Sequence, residues 1–450
     1  MSVFGIYGSQ EAAQVIYLGL HALQHRGQEG AGITCFEADG SCHHHRGLSL
    51  VSNVFNQELL SSMGGYLGIG ATQYANKAKG GLGNVQPLLF HQRKGDFAIA
   101  GEGSIINADG LRLYLENQGC LFQTSTDAEL LGNLIKKHNG EDRITNILEA
   151  LNMMEGGFAF LICTKNRIYA ARDKHGIKPL ALGRLGDALL VSSETCAFDL
   201  IGAEFIRDVE PGEVVSLDQK GIRSNKYSEY QRHKVCAMEY MYIARPDSVI
   251  DGCSVHLFRK ETGKKLAAEC PADADIVVGV PDSGLSAAAG YAEGSGLPLE
   301  MGLIKNRYIA RTFIQPIQSM RENSVRMKLA AVRSIVEGKR IVLVDDSIVR
   351  GTTCLKIVKL LRSAGAKEVH VRIASPVMTH PCYYGVDTST SEELLCSSRT
   401  VEEACKIIGA DTLGYVSCKA SVEATGGCSE LCLACFNGEY PTSLYEYETK

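Results

Sequence analysis

Val342-Leu343-Val344-Asp345-Asp346-Ser347-Ile348-Val349-Arg350-Gly351-Thr352-Thr353 carries more structural and chemical information than any other stretch of this chain. An apolar strand ends in two adjacent carboxylates, and a Gly/Thr turn then opens a helix. Backbone N–H groups at such a helix start, joined by two hydroxyls, form an anion pocket suited to a 5′-phosphate. The carboxylates can accept hydrogen bonds from vicinal ribose hydroxyls, and can hold magnesium directly or through water. Two acidic residues can also stand in an ordinary strand–helix turn, but the length of the string favours the sugar-phosphate reading.

The surrounding sequence extends the pattern. Residues 276–280 are a β-branched run that predicts a buried strand, followed by a small-residue helix over 284–292. A second strand is expected over 340–344, a helix over 352–364 and a third strand over 369–374. Repeated βα units imply a mostly parallel sheet, in which ligands collect at the carboxyl ends of the strands. The loop Val280-Pro281-Asp282-Ser283-Gly284 lies at such an end and is placed to grip a diphosphate and its magnesium. Between the two loops, Lys305, Arg307 and Arg311 supply three cations in Lys305-Asn306-Arg307-Tyr308-Ile309-Ala310-Arg311-Thr312-Phe313-Ile314-Gln315-Pro316. Such a segment can neutralise a leaving group and close over it to exclude water.

Residues 1 to about 230 read differently. Short strands are expected near 96–100, 157–163 and 188–192, with helices near 11–23 and 127–138 and glycine-rich turns such as 80–83. This is the pattern of a strand-rich α+β domain. The His43-His44-His45 run reads as a solvated loop rather than a metal site.

A chain of 450 residues has room for two or three domains, and 45% hydrophobic with 22% charged residues is ordinary for a globular protein. A net charge of −5 gives no footprint for nucleic acid. No apolar run approaches the ~18 residues that span a membrane, and residues 1–10 lack a secretory pattern, so the cytosol is the expected compartment. Sixteen cysteines are many for such a protein, and metal or cluster ligation is the leading use for some of them. Cys163 and Cys354, inside apolar segments, read as small buried hydrophobes. Cys432-Leu433-Ala434-Cys435 is a C-x-x-C that alone could serve zinc, redox chemistry or an iron–sulfur cluster, with Cys428 close enough in sequence to compete as a ligand.

Taken together these motifs resemble the glutamine amidophosphoribosyltransferase family, over nearly the whole chain. The resemblance implies an α+β sandwich domain of the N-terminal-nucleophile-hydrolase type at 1–230, followed by an α/β type I phosphoribosyltransferase domain at 231–450. In that family, ammonia released from glutamine attacks C1 of 5-phosphoribosyl 1-diphosphate (PRPP) and displaces diphosphate, giving phosphoribosylamine for purine synthesis. By resemblance, Ser283, Asp345 and Asp346 contact magnesium. Asp282, Gly284, Lys305, Arg307, Ser347, Arg350, Gly351, Thr352 and Thr353 surround PRPP or a feedback purine nucleotide, and Arg245-Pro246-Asp247-Ser248 belongs to the same site. Ala310 stands where the family usually has glycine. The cluster-bearing members match Cys236, Cys382, Cys432 and Cys435 as ligands of a 4Fe-4S cluster. The resemblance also implies a homo-oligomer.

Against this background the N-terminal half departs. The family begins Cys-Gly-Val-Phe-Gly-Ile, its cysteine being the glutaminase nucleophile, whereas this sequence reads Met1-Ser2-Val3-Phe4-Gly5-Ile6. Removal of Met1 would expose Ser2, one position out of register. Gly70-Ala71-Thr72-Gln73-Tyr74 replaces Gly-His-Val-Arg-Tyr, putting Gln73 where an arginine would hold the substrate carboxylate. Gly101-Glu102-Gly103-Ser104 replaces His-Asn-Gly-Asn, putting Glu102 where an asparagine would donate to the oxyanion, and a carboxylate there is expected to repel the developing charge. Leu23-Gln24-His25-Arg26-Gly27-Gln28 and Asp127 are as in the family. The expectation is a phosphoribosyltransferase using free ammonia, or ammonia from a partner subunit, with its glutaminase domain kept as scaffold. The rival is a non-catalytic regulator that binds PRPP or purine nucleotides and acts on a paralogous partner.

Overall fold

The computed structural model describes residues 1–74, 81–93, 95–138, 142–228, 233–306, 329–386, 388 and 390–445. Its N-terminal part is built on two antiparallel sheets. In the first, the strand Ser2–Tyr7 lies centrally between Leu67–Gln73 and Ala188–Ser192, and the sheet continues outward through Gly30–Phe36 to Cys42–Gly47 and through Ala181–Leu185 to Glu204–Asp208. In the second, Gly156–Thr164 lies between Phe97–Ile105 and Arg167–Arg172.

Side chains alternate across each strand, so each sheet buries two faces. Val3, Ile69 and Ala71 from the first sheet meet Ala98, Ala100, Leu161, Ala170 and Val215 from the second to form the central layer. Phe4 and Ile6 point the other way, onto the helix Ala12–Ala22 through Ile16 and Leu20. On the far side, Ile99, Phe160 and Ile162 pack on Asp127–Lys137 and Arg143–Asn152. The result is a four-layer sandwich with helices outside. The expected strand at 96–100 runs on to Ile105, so Glu102 sits inside the sheet, opposite Ala159.

The three histidines are not in a loop. They form part of the edge strand Cys42–Gly47, whose alternation sends them to different faces. His43 bonds Glu37 at 2.7 Å, His44 bonds Thr34 at 2.8 Å, and the His45 ring meets Phe55 edge-on. Burial lowers His44 to about 4.

The C-terminal part holds a four-stranded parallel sheet in the order Ile276–Gly279, Arg340–Asp345, Glu368–Ile373, Thr412–Tyr415. Helices Thr352–Ser363 and Val401–Ile408 cover one face, and Val255–Glu269 with Leu285–Ser295 cover the other. The last two cross so closely that a Cβ on Gly263 would lie 2.0 Å from the Ala287 carbonyl oxygen, and one on Gly290 would lie 1.9 Å from that of Lys260. Two glycines thus bring the helix that carries the 281–284 loop down onto its neighbour. Cys163 and Cys354 are buried as expected. Among the described residues, no helix is long and apolar enough to cross a membrane.

Gly290→Ala forces backbone against backbone and is expected to lower stability by about 1–3 kcal/mol in chemical denaturation. Gly83→Ala, with nothing within 4 Å of the added methyl, serves as the neutral control.

Candidate active site

The strand Arg340–Asp345 ends with Asp345 and Asp346 only 8% and 7% exposed. Asp346 is the junction of two loops. It accepts the Ser347 hydroxyl at 2.6 Å and also the hydroxyl of Ser283, from the 280–284 loop. Its backbone N–H donates to Asp345 at 2.9 Å. Gly284 makes the approach possible, because a Cβ there would meet the Val344 carbonyl oxygen at 2.7 Å. Asp282 pairs with Lys305, which extends the same rim.

Beyond Asp346, Gly351 takes a φ of 74° and caps the helix Thr352–Ser363. A Cβ at Gly351 would be strained and would press on Leu395 at 2.8 Å. Thr352 and Thr353 are exposed at this helix start, where N–H groups and hydroxyls can receive a phosphate. The sequence-derived set is therefore largely assembled: Asp282, Ser283, Gly284, Lys305, Asp345, Asp346 and Ser347 line adjoining loops, with Gly351 to Thr353 completing the turn. Arg350 stands on the same turn, with its exposed guanidinium paired to Glu393. Arg245 and Ser248 bond a residue of the N-terminal domain. The Arg245 N–H and the Ser248 hydroxyl donate to Glu194, at 2.9 and 2.7 Å, and the Arg245 guanidinium pairs with Asp247. Arg307, Ala310 and the rest of the basic segment lie outside the described residues.

The carboxylate pair fits a divalent cation. Burial pushes Asp345 well above the usual carboxylate range, and the Asp346 charge adds to this. Burial also raises Asp346, although the Ser283 and Ser347 hydroxyls and the Arg259 charge pull it back. Two buried, adjacent oxygen donors under mutual repulsion are what a hard dication relieves. Arg259 gave no signal in the sequence. It is 3% exposed and fixed by the carbonyls of Tyr240 and Ala244 at 2.6 and 2.8 Å.

A second site lies where the two domains meet. Cys236, Cys382, Cys432 and Cys435 line one pocket with Met238, Met378, Tyr384, Val386, Thr388 and Ala434. The parallel pairing of Val235–Cys236 with Leu431–Cys432 sets two of these thiols side by side. Burial raises the Cys432 thiol to about 12, and Cys236 and Cys435 further. Among the described residues no three His, Cys, Asp or Glu side chains are grouped tightly enough for a single ion. A zinc tetrahedron would need sulfurs about 3.8 Å apart. Four thiols lining one pocket are the soft donor set that an iron–sulfur cluster takes. Cys428 is not among them.

The N-terminal pocket is dominated by charge that the sequence did not reveal. Arg26, 3% exposed, donates to Glu102 at 3.1 Å, to Glu194 at 2.7 Å and to Glu239 at 2.7 and 3.0 Å. Lys178 adds a bond to Glu239 at 3.1 Å, and His25 one to Glu194 at 2.7 Å. Glu102 is thus not a bare negative group, since Arg26 engages one of its oxygens while the other has no partner. Gln73 is fully used: its amide donates to the Asn84 carbonyl at 3.1 Å and its oxygen accepts the Gln86 N–H at 3.2 Å. The Met1 nitrogen donates to the Arg26 carbonyl at 2.7 Å, and burial lowers that amine to about 5. Asp127 accepts the Ile105 N–H at 3.0 Å, and burial raises it to about 6.

Family models match two segments: "Glutamine amidotransferase domain" over residues 79–199 and "Phosphoribosyl transferase domain" over 259–406. The chain is 52% identical to the amidophosphoribosyltransferase of Bacillus subtilis (strain 168), covering 99% of this chain and 94% of the relative. It is 48% identical to that of Staphylococcus aureus (strain Mu50), covering 99% and 92%. Among solved structures it is similar to the B. subtilis glutamine PRPP amidotransferase complexed with ADP and GMP, with a TM-score of 0.94, 51% identity and coverage of 99% and 98%.

Burial alone would raise the Glu239 carboxyl, but Arg26 and Lys178 outweigh it and hold Glu239 at about 2, below its ordinary 4.5. The sign follows: the stabilisation is complete above pH ~4.5 and is lost as pH falls towards 2. Its size is on the order of 3 kcal/mol. Unfolding midpoints measured from pH 7 to 2.5 should fall along this limb. In Glu239→Gln the limb should flatten, with stability at pH 7 lowered by about 3–5 kcal/mol because Arg26 and Lys178 lose their shared partner.

Proposed function

Because this chain belongs to the amidophosphoribosyltransferase family of pentosyltransferases, we propose that it transfers the phosphoribosyl group of PRPP to ammonia and does not draw its nitrogen from glutamine. The products are 5-phosphoribosylamine and diphosphate, and the reaction opens purine biosynthesis. The ammonia lone pair forms the bond to C1 of the ribose as the C1–O bond to diphosphate breaks, and the nitrogen then loses a proton to solvent.

The observation that carries the nitrogen source is the state of the N-terminal pocket. Gln73 spends both ends of its amide on Asn84 and Gln86, and its neutral side chain brings no charge to a glutamine carboxylate. Glu102 offers an acceptor where an oxyanion requires a donor, and losing one such donor lowers rate by ~100–1,000-fold. The phosphoribosyl loops, in contrast, are joined through Ser283, Asp346 and Ser347. In this reading Ser283, Asp345 and Asp346 hold magnesium, which supplies charge neutralisation for the departing diphosphate. Thr352, Thr353 and the N–H groups that follow Gly351 receive the 5′-phosphate, and the vicinal hydroxyls bond to the carboxylates. Lys305 moves from Asp282 to the diphosphate, and Arg307 and Arg350 join it. The relative solved with ADP and GMP supports purine nucleotides as feedback ligands.

Cys236, Cys382, Cys432 and Cys435 hold a 4Fe-4S cluster that is structural, tying the C-terminal segment to the domain junction. Anaerobically purified protein should contain about four irons per chain with a broad visible absorbance, and Cys435→Ser should lose both.

The function is tested by diphosphate release from PRPP and magnesium. Release with ammonium chloride and none with glutamine is expected. Release with glutamine at a comparable rate would overturn the ammonia assignment. No release with either, alongside measurable PRPP binding, would overturn the enzyme reading in favour of a regulatory partner.

A further inference from the structure

Two turns of the transferase domain meet beside the four-cysteine pocket. Residues 250–253 lead into the helix Val255–Glu269, with Asp251 at φ 46° and Gly252 at φ 77°. Residues 425–429 lead into the strand Leu431–Cys432, with Gly426 at φ 63° and Gly427 at φ 88°. Successive left-handed residues make both turns tight. They are fastened to each other twice. The Tyr240 hydroxyl bridges the Ile250 carbonyl at 2.9 Å and the Ser429 hydroxyl at 3.0 Å. The Thr425 carbonyl accepts the Cys253 thiol at 3.4 Å and the Cys428 N–H at 3.2 Å. Both cysteines thus stand on the fastened turns, Cys428 exposed and Cys253 buried, and the Cys428 thiol is a side-chain neighbour of the Cys253 thiol.

We infer that Cys253 and Cys428 are a redox modification site, forming a reversible intramolecular disulfide that clasps the 425–429 turn to the start of the helix Val255–Glu269. Nothing in this rests on the ammonia reading or on the presence of a cluster. The oxidant is a low-molecular-weight disulfide. The exposed Cys428, as thiolate, attacks one of its sulfurs, forms a mixed disulfide and releases one small thiolate. The Cys253 sulfur, on losing its proton, then attacks the Cys428 sulfur and releases the second. Two protein thiols are oxidised to one disulfide, and one small disulfide is reduced to two thiols. The order follows from access and acidity, because burial raises the Cys253 thiol to about 12 and makes it the slower, resolving partner. The existing hydrogen bonds between the turns position the thiols before any bond forms.

The disulfide would close a long loop that contains the phosphoribosyl strands and Cys382, and it would anchor the segment leading to Cys432 and Cys435. Bonds that close long loops restrict the unfolded chain most.

The test uses the anaerobically purified full chain incubated with oxidised glutathione. The expected result is an intact mass lower by about 2 Da, a non-reduced peptide joining Cys253 to Cys428, and a raised thermal midpoint that reverts with dithiothreitol. Cys428→Ser, at an exposed position, should lose the cross-linked peptide and the rise together, while Cys418→Ser should keep both. A stable glutathione adduct on Cys428 with Cys253 free, or a disulfide from either residue to another cysteine, would overturn the pairing. A cross-link with no change in midpoint would overturn the clasp.

Discussion

Arg26 is the charge on which the arrangement of the two domains depends. Its guanidinium is enclosed and meets Glu102 and Glu194 of the sandwich and Glu239 of the transferase part. A buried ion contributes stability only while its partners stay in place, and losing one leaves charge stranded in a medium that cannot solvate it. Glu239 follows Cys236 by three residues and takes its remaining counter-charge from Lys178, again from the sandwich. Asp251 is in the same position relative to Arg172, which reaches it with two bonds of 2.8 Å. The transferase domain thus places two buried carboxylates against arginine and lysine side chains of the N-terminal domain, with His233 adding a bond to Asp251 at 3.2 Å. This gives a physical reason for the sandwich to stay packed against the transferase domain, whatever chemistry its own pocket performs.

The transferase site shows the opposite economy. Its two loops come from separate βα units and meet through small groups: Gly284 against the end of the strand Arg340–Asp345, and the Ser283 hydroxyl against Asp346. The glycine pair at the crossing of Val255–Glu269 and Leu285–Ser295 sets the height of the first loop, and Gly351 sets the entry angle of the second. Little of this uses charge, and that leaves the carboxylates for a ligand.

Much of this was legible in the sequence. Each buried parallel strand announced itself as a β-branched run, and the 342–353 string located both the sheet end and the phosphate turn. What stayed hidden was of two kinds. The edge strands Thr412–Tyr415 and Cys42–Gly47 are only partly buried, so neither carries a clean apolar signal. The Arg26 network joins residues up to 213 positions apart. Arg26 stands in the 23–28 motif and Glu239 three residues after Cys236, yet no local pattern says that a cation in one segment answers a carboxylate in the other. Arg245 illustrates the converse, since its motif was grouped with the phosphoribosyl loops whereas its N–H and the Ser248 hydroxyl both bond Glu194 of the sandwich.

The bonding of Gln73 and Glu102 also limits what can replace them. An arginine at 73 would enter a space where the Asn84 carbonyl and the Gln86 N–H are now bonded by the Gln73 amide. A neutral residue reintroduced at 102 would remove one of the three anions that hold Arg26. Each change alone disturbs bonds that the neighbouring residues depend on. The pocket therefore resists change one residue at a time, because Arg26 ties its composition to the joint between the two domains.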